Sequence, residues 1–306
     1  MPYDPTDIRS QLATAPRAAG ANVAPQYVEF GATEPSGTTG GGGKLWWARS
    51  QTCIVNYAEL AAGDELVRTG QPDEYMVLAT EAAGALSLTG NGGEPVRAEG
   101  AAVVVMPPGD SVVRAETAAV VVRLFSPQSD DLAALCANAG FYAEPDPNVA
   151  PFAPWPDPPD GHRIRVYPLD DYPKDPGRFG RLFRCSTVMV NYFYPDPGPR
   201  DPAKMSPHHH DDFEQLSLCL VGDYVHHIRT PWVPDMGQWR DDEHQLCLSP
   251  SLTVIPPPSV HTTQGVGEGT HHMIDIFAPP RLDFSNQPGW VLNAGEYPMP
   301  EPLPTA

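Results

Sequence analysis

Short apolar runs, each closed by a proline, a glycine or a small polar cluster, recur along the chain: TCIVNY, AAVVVMPP, AAVVVRLF, STVMVNYF, QLSLCLVG and LTVIPPP. Their length and their wealth of valine and isoleucine predict the strands of an all-β sandwich or barrel, because β-branched side chains suit a pleated, half-buried surface. One segment breaks the pattern. In SDDLAALCANAG, Ser129 is placed to cap a helix, Asp130 and Asp131 favour its positive end, and Gly140 suits a left-handed stop. The proline-rich stretch 144–161 that follows suits neither helix nor central strand, so 128–161 reads as a connector containing one short helix.

The two halves flanking that connector repeat one another. Arg49, Thr52, Val55, Asn56 and Tyr57 return at a constant offset as Arg184, Thr187, Val190, Asn191 and Tyr192, and MPPGDSVV in the first half is answered by IPPPSVHT in the second. Two echoes in the same order point to internal duplication. The expected organisation is therefore an N-terminal extension (1–43), a first barrel (44–127), the connector (128–161), a second barrel (162–280) and a C-terminal extension (281–306). Within the first extension, GATEPSGTTGGGG has the composition of a flexible linker.

Charge narrows the partners. A net charge of −19 is a poor match for phosphate backbones or anionic lipid, so neither nucleic acid nor membrane is expected. No apolar window is long enough for a membrane span, and MPYDPTDIRS lacks the basic start and apolar core of an export signal, which predicts a cytoplasmic protein. The five cysteines, Cys53, Cys136, Cys185, Cys219 and Cys247, show no CxxC spacing and read as buried thiols.

Candidate chemistry is concentrated in the second half, where nine of the ten histidines lie between His208 and His272. The informative pattern is HHHDDFE followed by PPPSVH. His208, His210 and Glu214 share parity, which on a strand would put them on one inward face with Leu216, Leu218 and Leu220, leaving Gln215, Ser217 and Cys219 outward. A straight strand would hold His210 and Glu214 ~13 Å apart, so a shared ion requires a bend at Asp211, Asp212 and Phe213. His261 would arrive from a separate strand. His209, of opposite parity, should point away.

His208-x-His210-x3-Glu214, with Gly222 closing the strand, resembles the first motif of the cupin family, and Pro256-x-Pro258-x2-His261 resembles the second. Two positions depart from the family pattern: Pro258 stands where glycine is usual, and Gly265 where asparagine is. The resemblance implies two cupin-type barrels, double-stranded β-helices of jelly-roll topology, with one divalent metal held by His208, His210, Glu214 and His261. It favours Fe(II), with Mn, Ni, Co or Zn as alternatives. The first barrel looks like a cupin without a site, because alignment of DEYMVLAT with DFEQLSLC sets Glu74 opposite Glu214 but places Arg68, Gly70 and Val112 where histidines would be needed.

A shell of this kind leaves coordination positions open, which implies an enzyme acting on a small molecule. The resemblance favours a dioxygenase acting on a small oxygenated compound, aromatic ones included. The alternatives are a redox-neutral lyase, isomerase or decarboxylase, and a non-catalytic binding protein. Tyr224, His226, His227, Arg229, His271 and His272 lie on neighbouring strands and are candidates for orienting or proton-transferring groups. The insertion 230–245, with Trp232 and Trp239, reads as a lid, an edge loop or the contact of a homodimer.

Overall fold

The computed structural model describes residues 22–80, 84–178 and 180–301. Residues 1–21 of the expected N-terminal extension and 302–306 of the C-terminal one lie outside that range. The structure is almost wholly β, with two short α-helices, Asp130–Ala133 and Leu282–Ser285. Four antiparallel sheets make two jelly rolls of the cupin type, each a pair of facing sheets rather than a closed barrel. No helix among the described residues is long and apolar enough to cross a membrane.

The chain forms two compact units that interleave in sequence. One, the apolar unit, contains residues 35–139, 152–190 and 278–301; the other, the histidine unit, contains residues 22–34, 140–151 and 191–277. Several short strands fall outside the segments where the sequence places them, among them Gln26–Glu29 and Arg165–Pro168. Gln26–Glu29, inside the expected N-terminal extension, pairs with Ser251–Ile255 of the histidine unit. Arg165–Pro168, expected in the second barrel, pairs with Ala102–Met106 of the apolar unit. Each is only four residues long, too short to carry a periodic signal of its own.

In the apolar unit, alternate residues Tyr75, Val77 and Ala79 of strand Tyr75–Ala79 join Trp47, Leu88, Val104, Val113 and Phe125 in one continuous core. Tyr75 stacks on Phe125 at 4.7 Å between ring centroids. The cluster of possible metal ligands found among the described residues lies in the other unit.

GATEPSGTTGGGG is not a loose linker. Gly37–Thr38 pairs with the strand Lys44–Arg49, and Asp64 accepts hydrogen bonds from the backbone of Gly41 (2.7 Å) and Gly43 (3.1 Å). The Thr39 hydroxyl, with burial opposing it and these backbone donors adding to it, holds the Asp64 carboxyl below its usual range. A Cβ on Gly43 would lie 2.5 Å from Asp64 Oδ2 and 2.7 Å from the Glu59 carbonyl, so the glycine is there for close approach rather than flexibility.

The predicted helix is also cut short, to Asp130–Ala133. Ser129 makes no side-chain cap; its hydroxyl instead accepts from Gln71 Nε2 at 3.0 Å. Beyond Ala133 the strand Lys44–Arg49 competes for the same backbone: Ala137 N–H donates to the Trp47 carbonyl, and Asn138 both accepts from and donates to Arg49. Gly140, expected in a left-handed stop, lies instead in the 3-10 turn Ala139–Tyr142 and has no positive φ.

All five cysteines are buried and unbridged. Burial pushes the thiols of Cys136 and Cys185 up to about 12 and that of Cys247 to about 11, so they stay protonated at neutral pH. Thiolates, not thiols, react with a disulfide reagent. Native protein at pH 8 should therefore label at well below one thiol per chain, rising to all five in denaturant; several fast-reacting thiols in the native state would contradict this packing.

Candidate metal centre

His208 and His261 face each other across an antiparallel bridge, each backbone N–H donating to the other's carbonyl, at 3.0 and 2.7 Å. Directly opposed residues bring their side chains close, and the two imidazole centroids lie 4.4 Å apart. His210, two residues on, completes a triangle at 5.1 Å from His208 and 5.3 Å from His261. Within this triad one ring nitrogen from each histidine lies within 4.8 Å of the other two. All three side chains are buried, at 7, 8 and 2 % exposure.

Backbone carbonyls set the tautomers. His208 Nδ1 lies 2.9 Å from the Ser206 carbonyl and His261 Nδ1 lies 3.0 Å from the Ser259 carbonyl. A carbonyl can only accept, so each Nδ1 carries the proton and each Nε2 the lone pair, the arrangement second-sphere carbonyls impose on metal-binding histidines. Phe213 and Phe277 pack against His210, with centroids at 4.3 and 6.1 Å. The triad therefore suits a divalent ion that accepts nitrogen donors.

The bend predicted between His210 and the following strand is present at Asp211–Phe213. Glu214, expected as the fourth ligand, is buried beside the bend, and the cluster of possible ligands found among the described residues is His208, His210 and His261. Gln215 also reaches the cluster: its Oε1 lies 2.9 Å from His210 Nε2, while its Nε2 donates to Ser217 Oγ (3.1 Å) and Asp275 Oδ1 (3.2 Å). Ser217 donates to the same carboxylate oxygen at 2.9 Å. Gln215, read as outward, thus reaches the site. Both faces of the strand Gln215–Val221 are buried over residues 215–219, so the burial of Leu216 and Leu218 does not by itself mark the side that carries the histidines. The sequence does carry a signal for Gln215 in Tyr75, which aligns with it and faces the core of its own jelly roll.

The remaining candidates divide by face. His226 is fully buried, with Nδ1 3.0 Å from Thr263 Oγ1 and Nε2 3.8 Å from Cys219 Sγ. Burial above all, helped by His261 and His227, pushes its pKa down to about 3, so it is neutral at physiological pH. Tyr224 meets the His271 ring edge-on at 5.4 Å, and burial raises its phenol well above the usual value. His271 Nε2 donates to the Val266 carbonyl (2.7 Å) and His272 Nε2 to that of Phe193 (3.1 Å), so both are structural ties. The His271 ring also explains Gly222 and the departure at Gly265: a Cβ on either would come within 2.6 or 2.7 Å of it. His227 and Arg229 face outward, the first against His244 (2.7 Å), the second paired with Asp242 (3.0 Å). His209 interacts with Asp211 at 3.2 Å, away from the triad. In the insertion, Trp232 and Trp239 stack at 4.7 Å on the surface, 75 and 40 % exposed.

No known family profile matches the sequence, and no curated protein matches it. Solved structures do. An oxalate decarboxylase from Lactobacillus farciminis in complex with formate is 13% identical, aligned over 86% of this chain and 88% of its own, with a TM-score of 0.58. Oxalate decarboxylase from Bacillus subtilis at pH 4.6 gives 13%, 86%, 77% and 0.54, and AerE from Microcystis aeruginosa 10%, 84%, 97% and 0.51. At such identities the likeness is one of fold.

Proposed function

We propose that the protein is a metal-dependent cupin enzyme carrying one divalent ion on His208, His210 and His261, and that it cleaves or rearranges a small carboxylate without net oxidation, as a lyase or decarboxylase. The observation that carries the metal reading is the convergence of three buried imidazoles, two of them with Nδ1 fixed on a backbone carbonyl. Support for the redox-neutral class comes from the fold neighbours named as oxalate decarboxylases, one of them with formate bound. These take precedence over the dioxygenase expected from the sequence, for which the fold neighbours offer no support. The triad's nitrogen donors accept several divalent ions and give no reason to single out Fe(II).

When bound, the ion would supply a Lewis acid that polarises a carboxylate or carbonyl oxygen of the substrate. The chain's own residues do the rest. Phe213 and Phe277 shield His210. Asp275 and Ser217 fix the Gln215 amide beside it. His226, neutral and held on Thr263, shapes the interior without adding charge.

The test is turnover of a panel of small oxo-, hydroxy- and dicarboxylates by metal-loaded protein, followed by carbon dioxide release and by an oxygen electrode. Product formed at equal rates with and without oxygen is expected. Oxygen uptake in step with product, dependent on Fe(II), would replace this reading with the dioxygenase.

Acidification should strip the ion. An imidazole must be neutral to donate its lone pair, so ligation competes with protons and occupancy against a fixed chelator should fall as the pH drops below about 6.5. Occupancy unchanged well below that range, measured after equilibration, would contradict an imidazole triad.

A further inference from the structure

We infer that the apolar unit holds a ligand site of its own, without a metal, in which the interior guanidinium of Arg123 receives the carboxylate of a small monoanionic acid with an apolar body.

Arg123 sits inside the run AAVVVRLF, on the strand Ala119–Phe125, which pairs on one side with Ile54–Leu60 and on the other with Tyr75–Ala79. Side chains alternate along a strand, so Arg123 shares the face of Val121 and Phe125, both members of the core. It is 4 % exposed. An arginine so placed is normally paired, because an isolated charge in an apolar interior is costly. Among the described residues, however, its one hydrogen bond runs from Nε to the Asn56 amide oxygen at 2.9 Å, a neutral acceptor. The Trp47 and Phe125 rings flank it, each centroid 5.4 Å from Cζ. Burial lowers its pKa to about 10, which leaves it cationic at neutral pH, and the titratable groups that act on it are Tyr75 and Arg68, neither of them an anion. Glu74, also buried in this unit, has the parity opposite to Tyr75 and is bound by Ser186 instead.

The two terminal nitrogens of Arg123 thus donate to no described residue. Lack of a partner is not by itself a site: Nε and Nη1 of Arg184 also lack one, but they are fully enclosed and no ligand can touch them. The terminal nitrogens of Arg123 are not enclosed in this way, so an acceptor can approach them.

Charge and shape define that acceptor. Arg68, whose Cζ lies 5.9 Å from the same Phe125 ring, is neutralised by Asp131 through two hydrogen bonds, at 2.5 and 2.9 Å. The uncompensated charge of the cluster is that of Arg123 alone, and a single negative charge balances it. Two terminal nitrogens side by side match the two oxygens of a carboxylate. Tyr75, stacked on Phe125 with its hydroxyl 2.9 Å from Ser111 Oγ, extends the aromatic wall, which suits an aromatic or branched apolar body.

The experiment titrates the full chain calorimetrically with acetate, isobutyrate, benzoate and phthalate, and follows the folding of each variant by circular dichroism. In wild type, benzoate should bind at least about tenfold more tightly than acetate, through burial of its ring, and at least about tenfold more tightly than phthalate, whose second charge finds no partner. Arg123→Met should weaken benzoate binding by at least about tenfold. Arg123→Lys, which keeps the charge and lacks the fork, serves if the methionine variant fails to fold and should weaken it by about tenfold. His261→Ala, altered in the other unit, should retain the Arg123-dependent binding. Its loss there would place the anion on the ion and overturn the proposal. Benzoate affinity equal in wild type and the Arg123 variants also overturns it, as does failure of every carboxylate to bind. Chloride that displaces benzoate at equal affinity, with acetate and benzoate bound alike, would mean an adventitious ion only and overturns it as well.

Discussion

Replacing His261 by alanine should reduce metal content from about one ion per chain to less than about a tenth of that while leaving the fold in place. The reason lies in how the residue is held. Its backbone N–H and carbonyl make the reciprocal bridge to His208, and alanine retains both groups, so the pairing survives the loss of the ring. Only the donor disappears. Elemental analysis of protein purified without added metal reads the outcome, with His209→Ala as the matched control, since His209 is outside the cluster of possible ligands and lies 3.2 Å from Asp211. Equal occupancy in wild type and His261→Ala would remove the metal centre from this position.

The second large effect concerns stability. Glu74 is fully buried in the apolar unit and accepts hydrogen bonds from Ser186 N–H (3.2 Å), Ser186 Oγ (2.8 Å) and Tyr297 Oη (3.2 Å), with His162 Nδ1 at 3.3 Å and Arg165 at 3.8 Å. Removing one member of a buried charged network leaves the others desolvated and unmatched, which typically costs about 3–5 kcal/mol. Glu74→Ala should therefore lower the urea midpoint of the apolar unit by an amount of that order. Glu74→Gln, which keeps an acceptor oxygen for the hydroxyls, should lose markedly less. Metal content should be unaffected in either folded variant, because the donors reside in the other unit. A midpoint unchanged in Glu74→Ala would mean the network contributes nothing to folding; release of metal from folded Glu74→Gln would place the ion elsewhere.

The sequence made the architecture legible because strand signals are local. Valine-rich runs between prolines predict strands one by one, and the repeated Arg, Asn and Tyr positions fall on matching strands: Lys44–Arg49 and Ile54–Leu60 in the first copy, Leu182–Arg184 and Met189–Tyr192 in the second. The three histidines were legible for the same reason, as a short motif and a distant partner. What stayed hidden depends on surroundings. How Glu214 and Gln215 are placed toward the triad is a one-residue question of register, and with Leu216, Ser217 and Leu218 all fully buried the leucines do not single out one face. The helix beginning at Asp130 has sound local signals, yet Asn138 and Ala137 are claimed by a strand almost ninety positions earlier. The glycine run near residue 41 looks like linker until Asp64 is seen to gather its amides.

The pairing of Gln26–Glu29 with Ser251–Ile255 bears on the order of synthesis. On the ribosome the first of these strands emerges more than 200 residues ahead of its partner. During that interval its backbone donors and acceptors have no native sheet to join, so the histidine unit cannot reach its final hydrogen-bonded state until Ser251–Ile255 has been made. Arg165–Pro168 imposes a shorter wait on the apolar unit, whose sheet edge at Ala102–Met106 stays open until the connector has passed. A nascent chain stalled after Arg165–Pro168 has paired but before Ser251–Ile255 has emerged would leave the strand Gln26–Glu29 without its native partner.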